Sequence, residues 1–346
     1  MAKLAVLGAG SWGTALAMVL ADNKHDVRLW THNKQQKELM ITTGKNEKYL
    51  PDIILPKDLQ IFDELEKAIS NVDAIIIVVP TKAIRETCQR LNHVLDKSMM
   101  IIHGTKGIEP NTHYRVSEMI QEELDDSLLE GIVALSGPSH AEEVSLKHPT
   151  TLTAGALHEE HAQFAQDLFM NQYFRVYTSN DVVGVELGGA LKNIIALGAG
   201  ISDGLGYGDN AKAALITRGL AEISRLATVL GANPLTFIGL SGVGDLIVTC
   251  TSVHSRNWRA GNLLGQGYAL DQVLDQMGMI VEGIKTTEAV HQLSEQQQVE
   301  MPITNGIFDV IFNHKTPKDV VDHLMARTRT NEVEDIISVL VDKYSH

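Results

Sequence analysis

Near its N-terminus the chain carries three glycines, Gly8, Gly10 and Gly13, with the spacing G-x-G-x-x-G. The apolar run KLAVL before them predicts a buried β-strand, and the residues after them favour a helix to about Leu20. In such a turn the first glycine permits a sharp bend, the second lets backbone approach a pyrophosphate, and the third lets helix and strand pack closely. The N–H groups at the start of the helix would face the phosphates. The motif therefore predicts a dinucleotide-binding fold, and a glycine turn without a ligand is the alternative.

Short apolar runs recur through the first 180 residues, and polar, helix-favouring segments such as 81–95, 112–126 and 158–171 separate several of them. This alternation is typical of a parallel sheet with crossover helices. The runs are DVRLW (26–30), AIIIVV (74–79), SMMIIH (98–103), GIVALS (131–136), TTLTAG (150–155) and FRVYTS (174–179).

After about residue 180 the pattern becomes helical. Residues 181–201 are apolar almost all round, and 210–234 has Asn210 as a plausible N-cap. Further helical patterns cover 284–297, 303–314 and 317–342. The sequence predicts an α/β protein with a Rossmann-type doubly wound sheet in residues 1–180 and an all-α domain in residues 181–346.

Charge and cysteine content exclude several classes of protein. The formal net charge of -14 argues against non-specific nucleic-acid binding, and an anionic substrate would need a local cationic pocket. The two cysteines, Cys88 and Cys250, are too few for a disulfide framework or a thiolate zinc site, which fits a reducing cytoplasm. The run AIIIVV is far too short to cross a membrane, so no integral membrane segment is expected.

The end of the second strand bears on the choice of cofactor. NAD-preferring sites usually carry an acid there for the ribose 2′-OH, but this chain reads RLWTHNK, with His32, Asn33 and Lys34. A 2′-phosphate would be repelled by an acid and attracted by these donors. We therefore predict that NADPH is accepted, although an ordinary solvated turn is the alternative.

Two charged residues of the second half stand in unusual surroundings. Lys192 lies in GGALKNIIALGAG, and a buried ammonium costs several kcal/mol unless it is paired or functional. A structural ion pair is the alternative interpretation. Asp245 lies in the glycine-rich loop SGVGDLIVTC, where a helix cap would explain it equally well.

Other polar groups are placed to bind an anion. Ser255, Arg256 and Asn257 form a cluster of donors suited to phosphate, or else a solvated turn before a helix. Lys106 in HGTKGIE follows the fourth apolar strand, at the edge where doubly wound sheets bind ligands. The segment SGPSHAEEV, with Ser139, follows the fifth strand in the same way.

Together these segments resemble the NAD(P)-dependent glycerol-3-phosphate dehydrogenase family in its bacterial form. The resemblance implies reversible reduction of the phosphorylated triose dihydroxyacetone phosphate to sn-glycerol 3-phosphate for phospholipid synthesis. It also implies NADP or NAD as cofactor and a homodimer, and the chemistry needs no metal. The blocks, in order, are GAGSWGTALA, VPTKAIRE, HGTKGIE, SGPSHAEEV, ELGGALKNIIALGAGI, GVGDLIVTC, SRNWRAG and VEG.

The resemblance also implies roles for individual residues, with Lys192 transferring the proton. The implied cofactor-binding residues are Gly8, Gly10, Ser11, Trp12, Gly13, His32, Lys106, Ala141, Arg256, Ile280 and Glu282. The implied substrate-binding residues are Lys106, Gly137, Ser139, Lys192, Asp245, Ser255, Arg256 and Asn257. Thr81 replaces the family's more usual serine after Val-Pro, and Ile280 stands where valine is common; neither change should disturb the site.

Two other functions are compatible with parts of the pattern. A dehydrogenase of β-hydroxy acids would also use a lysine on an interdomain helix, but the phosphate donors favour a phosphorylated triose. A non-catalytic nucleotide sensor would keep the glycine turn but would have no reason to place Lys192 and Asp245 in glycine-rich surroundings.

Overall fold

A computed structural model describes residues 1–328, which form two compact units. The first unit comprises Met1–Thr105 and Val116–Val182, and the second comprises Lys106–Arg115 together with the described residues 183–328. The domain boundary near residue 180 stays a prediction. The end of the predicted helix 317–342, and of the predicted second domain, lies outside the described residues.

The first unit is built on an eight-stranded sheet in the order β10-β9-β8-β7-β6-β1-β2-β5. Neighbouring strands are parallel except β8 and β9, which are antiparallel. A small antiparallel hairpin, β3–β4, lies outside this sheet. The strands are β1 Lys3–Leu7, β2 Asp26–Trp30, β3 Lys45–Asn46, β4 Leu50–Ile54, β5 Gln60–Phe62, β6 Ala74–Ile77, β7 Met99–His103, β8 Leu129–Ser136, β9 Thr150–Gly155 and β10 Phe174–Ser179.

Helices cover both faces of this sheet, which explains why its central strands β6 and β7 are buried along their length and almost wholly apolar. Successive residues of a strand face opposite sides. Leu4 and Val6 of β1 pack with α1, α6 and α7, whereas Ala5 and Leu7 pack with α3, α4 and α5. The predicted Rossmann-type fold class is confirmed. The helices of the first unit are α1 Ser11–Asp22, α2 Lys34–Thr43, α3 Leu65–Ile69, α4 Ile84–Val94, α5 Val116–Glu123, α6 Ala141–Ser145 and α7 Glu159–Phe169.

The second unit is helical and is organised around its longest helix, α8. This helix is long and apolar enough to cross a membrane, but 94% of its most apolar window is buried in the structure, as in the core helix of a folded domain. The helices are α8 Val182–Gly204, α9 Asp209–Val229, α10 Asp245–Thr251, α11 Arg256–Gly265, α12 Leu270–Met277, α13 Glu282–Gln296, α14 Pro302–Phe312 and α15 Pro317–Met325.

The start of α9 differs from the prediction, and the close packing of α8 explains its glycines. The prediction of Asn210 as a helix N-cap is wrong, because α9 begins at Asp209 and Gly208 is its N-cap. The glycines of α8 permit close backbone contact: a Cβ on Gly188 would lie 2.2 Å from the carbonyl oxygen of Ser241, and one on Gly200 would lie 2.0 Å from that of Trp258. The neighbours that the glycines admit are therefore the backbone of other helices.

Candidate active site

The glycine turn has the geometry that its spacing predicts. Gly8 has φ +118°, and a Cβ there would lie 2.5 Å from the carbonyl oxygen of Val78 beside it. A Cβ on Gly13 would lie 1.9 Å from the carbonyl oxygen of Gly8, so helix and turn pack tightly. A Cβ on Gly10 would meet nothing within 4 Å. The structure thus leaves open space at the one glycine whose predicted function is to admit a ligand.

The start of α1 offers hydrogen-bond donors to that space. Gly10 is the N-cap, and as a glycine it provides no side-chain cap for the helix. The buried indole N–H of Trp12 also has no hydrogen-bond partner among the described residues. The indole nitrogen lies 2.8 Å from where a Cβ on Gly104 would be, so the ring packs against the chain that leaves β7.

The turn after β2 places His32 on the surface, while its neighbours serve the local fold. Thr31 is buried and donates to the side chain of Gln36 at 2.7 Å. The Asn33 side chain accepts a hydrogen bond from the N–H of Gln36 and caps α2. Of the three predicted donors of the turn, His32 and Lys34 therefore present exposed side chains without a capping function.

The segment after β8 lies at the same edge of the sheet as the glycine turn, because the parallel strands β1, β2, β6, β7 and β8 all end at that edge. Gly137 has φ +141°, which favours glycine. The hydroxyl of Ser139 donates to the carbonyl of Gly137 at 2.8 Å, and Ala141 begins α6. These predicted residues therefore share one turn.

Three predicted residues of the second unit meet around one carboxylate. The Lys106 ammonium donates to Oδ2 of Asp245 at 2.8 Å, and the Lys192 ammonium donates to Oδ1 of the same residue. Lys192 also donates to the hydroxyl of Thr249 at 2.8 Å. Asp245 is 1% and Lys192 6% exposed, so both charges are withdrawn from solvent.

Helix geometry explains part of this arrangement. Asp245 and Thr249 lie four residues apart on α10 and therefore on one face, and Thr249 donates its hydroxyl hydrogen to the carbonyl of Asp245 at 2.6 Å. That leaves a lone pair of the hydroxyl for Lys192 on α8. Thr249 was missed in the sequence, where only the four-residue spacing from Asp245 could have indicated it.

The neighbouring charges shift the titration of Lys192 and Asp245. Burial lowers the pKa of Lys192 to about 7, while the Asp245 carboxylate opposes the shift and the Lys106 ammonium adds to it. Burial acts to raise the pKa of Asp245, but Lys106 and Lys192 outweigh it and the pKa lies below its usual value. At neutral pH the site holds a carboxylate beside a lysine that can both give and take a proton.

Of the three predicted phosphate donors at the start of α11, Ser255 and Asn257 are buried in structural contacts and Arg256 is partly exposed. Ser255 is the N-cap of α11 and accepts from the N–H of Trp258 at 3.2 Å. Asn257 is 8% exposed; its amide donates to Oδ1 of Asn193 at 2.8 Å and accepts from the N–H of Gly283 at 2.9 Å. Arg256 is half-buried at the first position of the helix.

The contacts of Asn257 connect α8, α11 and α13 by side chain and backbone. Glu282 is half-buried in the first turn of α13, and Ile280 is half-buried in the segment just before it. Asn193, like Thr249, was missed by sequence reasoning, although it follows Lys192 directly. The roles predicted for this group of residues stay predictions.

A separate apolar cavity of about 420 Å³ lies among α8, α9, α14 and α15. None of the predicted site residues lines it. Its lining is mainly aliphatic, from residues such as Ile201, Leu215 and Ile307. The charged cluster around Asp245, rather than this cavity, is therefore the candidate active site of the second unit.

Comparison with known proteins matches both halves of the chain to the same family. Residues 3–162 match the family model for the N-terminus of NAD-dependent glycerol-3-phosphate dehydrogenase, and residues 181–322 match the model for its C-terminus. A glycerol-3-phosphate dehydrogenase (NAD(P)+) of Oceanobacillus iheyensis is 63% identical over 345 residues, covering 100% of both chains. One of Bacillus pumilus is 58% identical over 339 residues, covering 98% of each chain. The crystal structure of a glycerol-3-phosphate dehydrogenase from Coxiella burnetii has a TM-score of 0.90 at 38% identity and covers 94% of this chain and 99% of its own.

Proposed function

The chain belongs to the NAD-dependent glycerol-3-phosphate dehydrogenase family, and on that premise we propose that it reversibly reduces dihydroxyacetone phosphate to sn-glycerol 3-phosphate with NADH or NADPH. The observation that carries the proposal is the buried contact of Lys192 and Lys106 with Asp245. A ketone reduction needs a proton donor at the oxygen where negative charge develops, and a lysine with a lowered pKa meets that need.

The first unit fits a nicotinamide dinucleotide. The space at Gly10 and the start of α1, where Gly10 adds no side-chain cap, suit a pyrophosphate, and Ser11 and Trp12 lie in the first turn of that helix. His32 follows β2, where the ribose would bind. When bound, the cofactor supplies the hydride for the ketone carbon and takes it back in the reverse reaction.

Lys192 holds the proton for this reaction. In ketone reduction its ammonium donates a proton to, or stabilises charge on, the carbonyl oxygen of the substrate. In alcohol oxidation the neutral amine takes the proton from the hydroxyl. A pKa of about 7 suits both directions near neutral pH, and Asp245 and Thr249 orient the amine.

Cationic groups of the second unit bind the substrate in this proposal. Arg256 receives the phosphate through its planar guanidinium, with Lys106 as a second cation. Because the net charge of the chain is -14, an anionic substrate needs such a local group of cations to bind. Ser255, Asn257, Gly137 and Ser139 keep the substrate-binding roles that the resemblance implies, and Asn257 acts partly through the contacts that fix α11 against α13.

Other properties follow from the family rather than from the geometry. We place the protein in the cytoplasm, as a homodimer that feeds glycerophospholipid synthesis. These assignments rest on membership of the family alone.

One assay tests the function. Purified protein is mixed with dihydroxyacetone phosphate and NADPH or NADH, and absorbance of the reduced cofactor is followed; a β-hydroxy acid with the oxidised cofactors serves as the competing substrate. We expect turnover of the phosphorylated ketone with both cofactors and kcat/KM for NADPH at least equal to that for NADH. Turnover of the hydroxy acid alone, or cofactor binding without any turnover, would contradict the proposal.

A further inference from the structure

The segment Lys106–Arg115 forms a compact hairpin that belongs to the second unit. Its two ends meet in an antiparallel bridge between Ile108 and Arg115. Inside the bridge, the N–H of Glu109 donates to the carbonyl of Tyr114 at 2.9 Å. The hairpin begins with Lys106, so its position determines where that ammonium lies.

One end of the hairpin is attached directly to α8. The guanidinium of Arg115 donates to Oε2 of Glu186 at 2.5 Å, with the two side chains 16% and 4% exposed. Ile108, 2% exposed, packs in the same hydrophobic core as α8. Because Glu186 is so deeply buried, loss of its partner would leave a charge that water reaches poorly.

The other end of the hairpin returns to α8 through the active site. Lys106 contacts Asp245, and Asp245 contacts Lys192 of α8. These side-chain contacts, together with the backbone of the hairpin and of α8, therefore form a closed ring that includes Glu186 and Lys192 of α8. The ion pair of Arg115 and Glu186 is the part of this ring that includes none of Lys106, Asp245 and Lys192.

We propose that Arg115 and Glu186 form a positioning pair, whose contact fixes the Lys106–Arg115 hairpin on α8 and thereby holds the Lys106 ammonium against Asp245. Neither residue touches the substrate in this proposal; both act through Lys106. The geometry is independent of the reaction, but the effect on turnover rests on the proposed function.

The first test uses Glu186→Gln and Arg115→Lys in the full-length protein. If the hairpin loosens and Lys106 withdraws, kcat/KM for the ketone should fall on the order of tenfold, because a small misplacement of a binding group is costly. Withdrawal of a cation also lets the pKa of Lys192 rise. The alkaline limb of kcat/KM for ketone reduction should therefore move upward by about one pH unit, which a loss of stability alone would not cause.

The matched control is Lys212→Gln. Lys212 pairs with Asp203 of α8 at 2.8 Å, with side chains 20% and 16% exposed, and neither residue belongs to the hairpin. This variant should keep the wild-type pH profile. The double variant Arg115→Gln/Glu186→Gln should lose less than the sum of the losses of the two single variants, because the two residues share a contact.

Amide hydrogen exchange gives a readout that does not depend on activity. In Glu186→Gln the amide of Glu109 should exchange faster than in the wild type, whereas in Lys212→Gln it should not. An unshifted pH limb together with unchanged exchange at Glu109 would overturn the positioning pair, even in a protein that turns over the ketone. A wild-type protein without turnover would instead refute the proposed function, and exchange at Glu109 would still decide the hairpin contact.

Discussion

Lys192 shows how much one residue depends on neighbours from distant parts of the chain. Its burial could be inferred from the apolar residues around it, since a lysine in such a setting requires a partner. Its partners, Asp245 and Thr249, lie on another helix more than fifty positions away. The pKa of about 7 results from all of these surroundings together.

Replacement of Lys192 by alanine should lower kcat for ketone reduction by about a hundredfold or more, because the proposed proton donor would be lost. Lys192→Arg keeps the charge but cannot release a proton near neutral pH, so it should also be strongly impaired. Steady-state assays with thermal unfolding as a check on folding would measure both. Near-wild-type turnover of either variant would remove Lys192 from the mechanism.

The pH dependence should differ between the two directions of the reaction. Ketone reduction needs protonated Lys192, so kcat/KM should fall as pH rises through about 7; alcohol oxidation needs the neutral amine, so kcat/KM should fall as pH decreases through about 7. Initial rates from pH 5.5 to 9 in both directions would show it. Parallel profiles in the two directions would mean that another group limits the rate.

Arg256→Lys should mainly raise KM for dihydroxyacetone phosphate, since the charge is kept and the two-pronged hydrogen bonding is lost. Arg259→Lys, an exposed position on the same helix, is the matched control and should change little. Measured KM values for ketone and cofactor would separate the two. An unchanged KM for the ketone in Arg256→Lys would contradict its role at the phosphate.

At the scale of elements, apolar runs predicted the positions of seven of the ten strands in residues 1–328 and missed the short strands β3, β4 and β5. Strands such as β6 are buried on both faces and appear in the sequence as continuous apolar runs. The antiparallel pairing of β8 with β9 leaves no such mark, because an apolar run reads the same in either direction. The glycines and charged residues of the candidate site could be recognised in the sequence. Thr249 could not, because only its contact with Lys192 of α8 distinguishes it from other helical threonines.

The glycine turn offers a test in which two neighbouring substitutions should behave differently. Gly13→Ala should destabilise the protein by about 2 kcal/mol or more, because its Cβ would lie 1.9 Å from a carbonyl oxygen. Gly10→Ala should leave stability nearly unchanged and weaken NADPH binding, since its Cβ would enter open space where the pyrophosphate approaches. Thermal unfolding and cofactor titration would distinguish them. Wild-type cofactor affinity in Gly10→Ala would refute the placement of the phosphates.

For the molecule as a whole, the pH dependence of stability should carry a contribution from Glu222. This carboxylate of α9 is 2% exposed and accepts hydrogen bonds from the backbone N–H groups of Ile303 and Thr304 at the start of α14. Burial raises its pKa from 4.5 to about 7 despite these donors. The folded state therefore binds a proton more tightly at this position than the unfolded state does.

The stability due to protonated Glu222 should be complete below about pH 4.5 and be lost as pH rises to about 7, a change of about 3 kcal/mol. Glu222→Gln should lose this slope, whereas Glu295→Gln on an exposed surface should keep it. Urea unfolding from pH 5 to 8 would measure the free energy of unfolding of each protein. Equal slopes in wild type and Glu222→Gln would show that the carboxylate is ionised throughout.

The course of the chain between the two units limits how such a protein can be recombined. The chain passes from one unit to the other after Thr105, after Arg115 and after Val182. A hybrid gene that joined the first 182 codons of one parent to the remainder of another would inherit the hairpin with Lys106 from one ancestor and its partners Asp245 and Glu186 from the other. A recombined gene should therefore take the codons for residues 106–115 from the same parent as the codons for the second unit, although these codons lie within the first half of the gene.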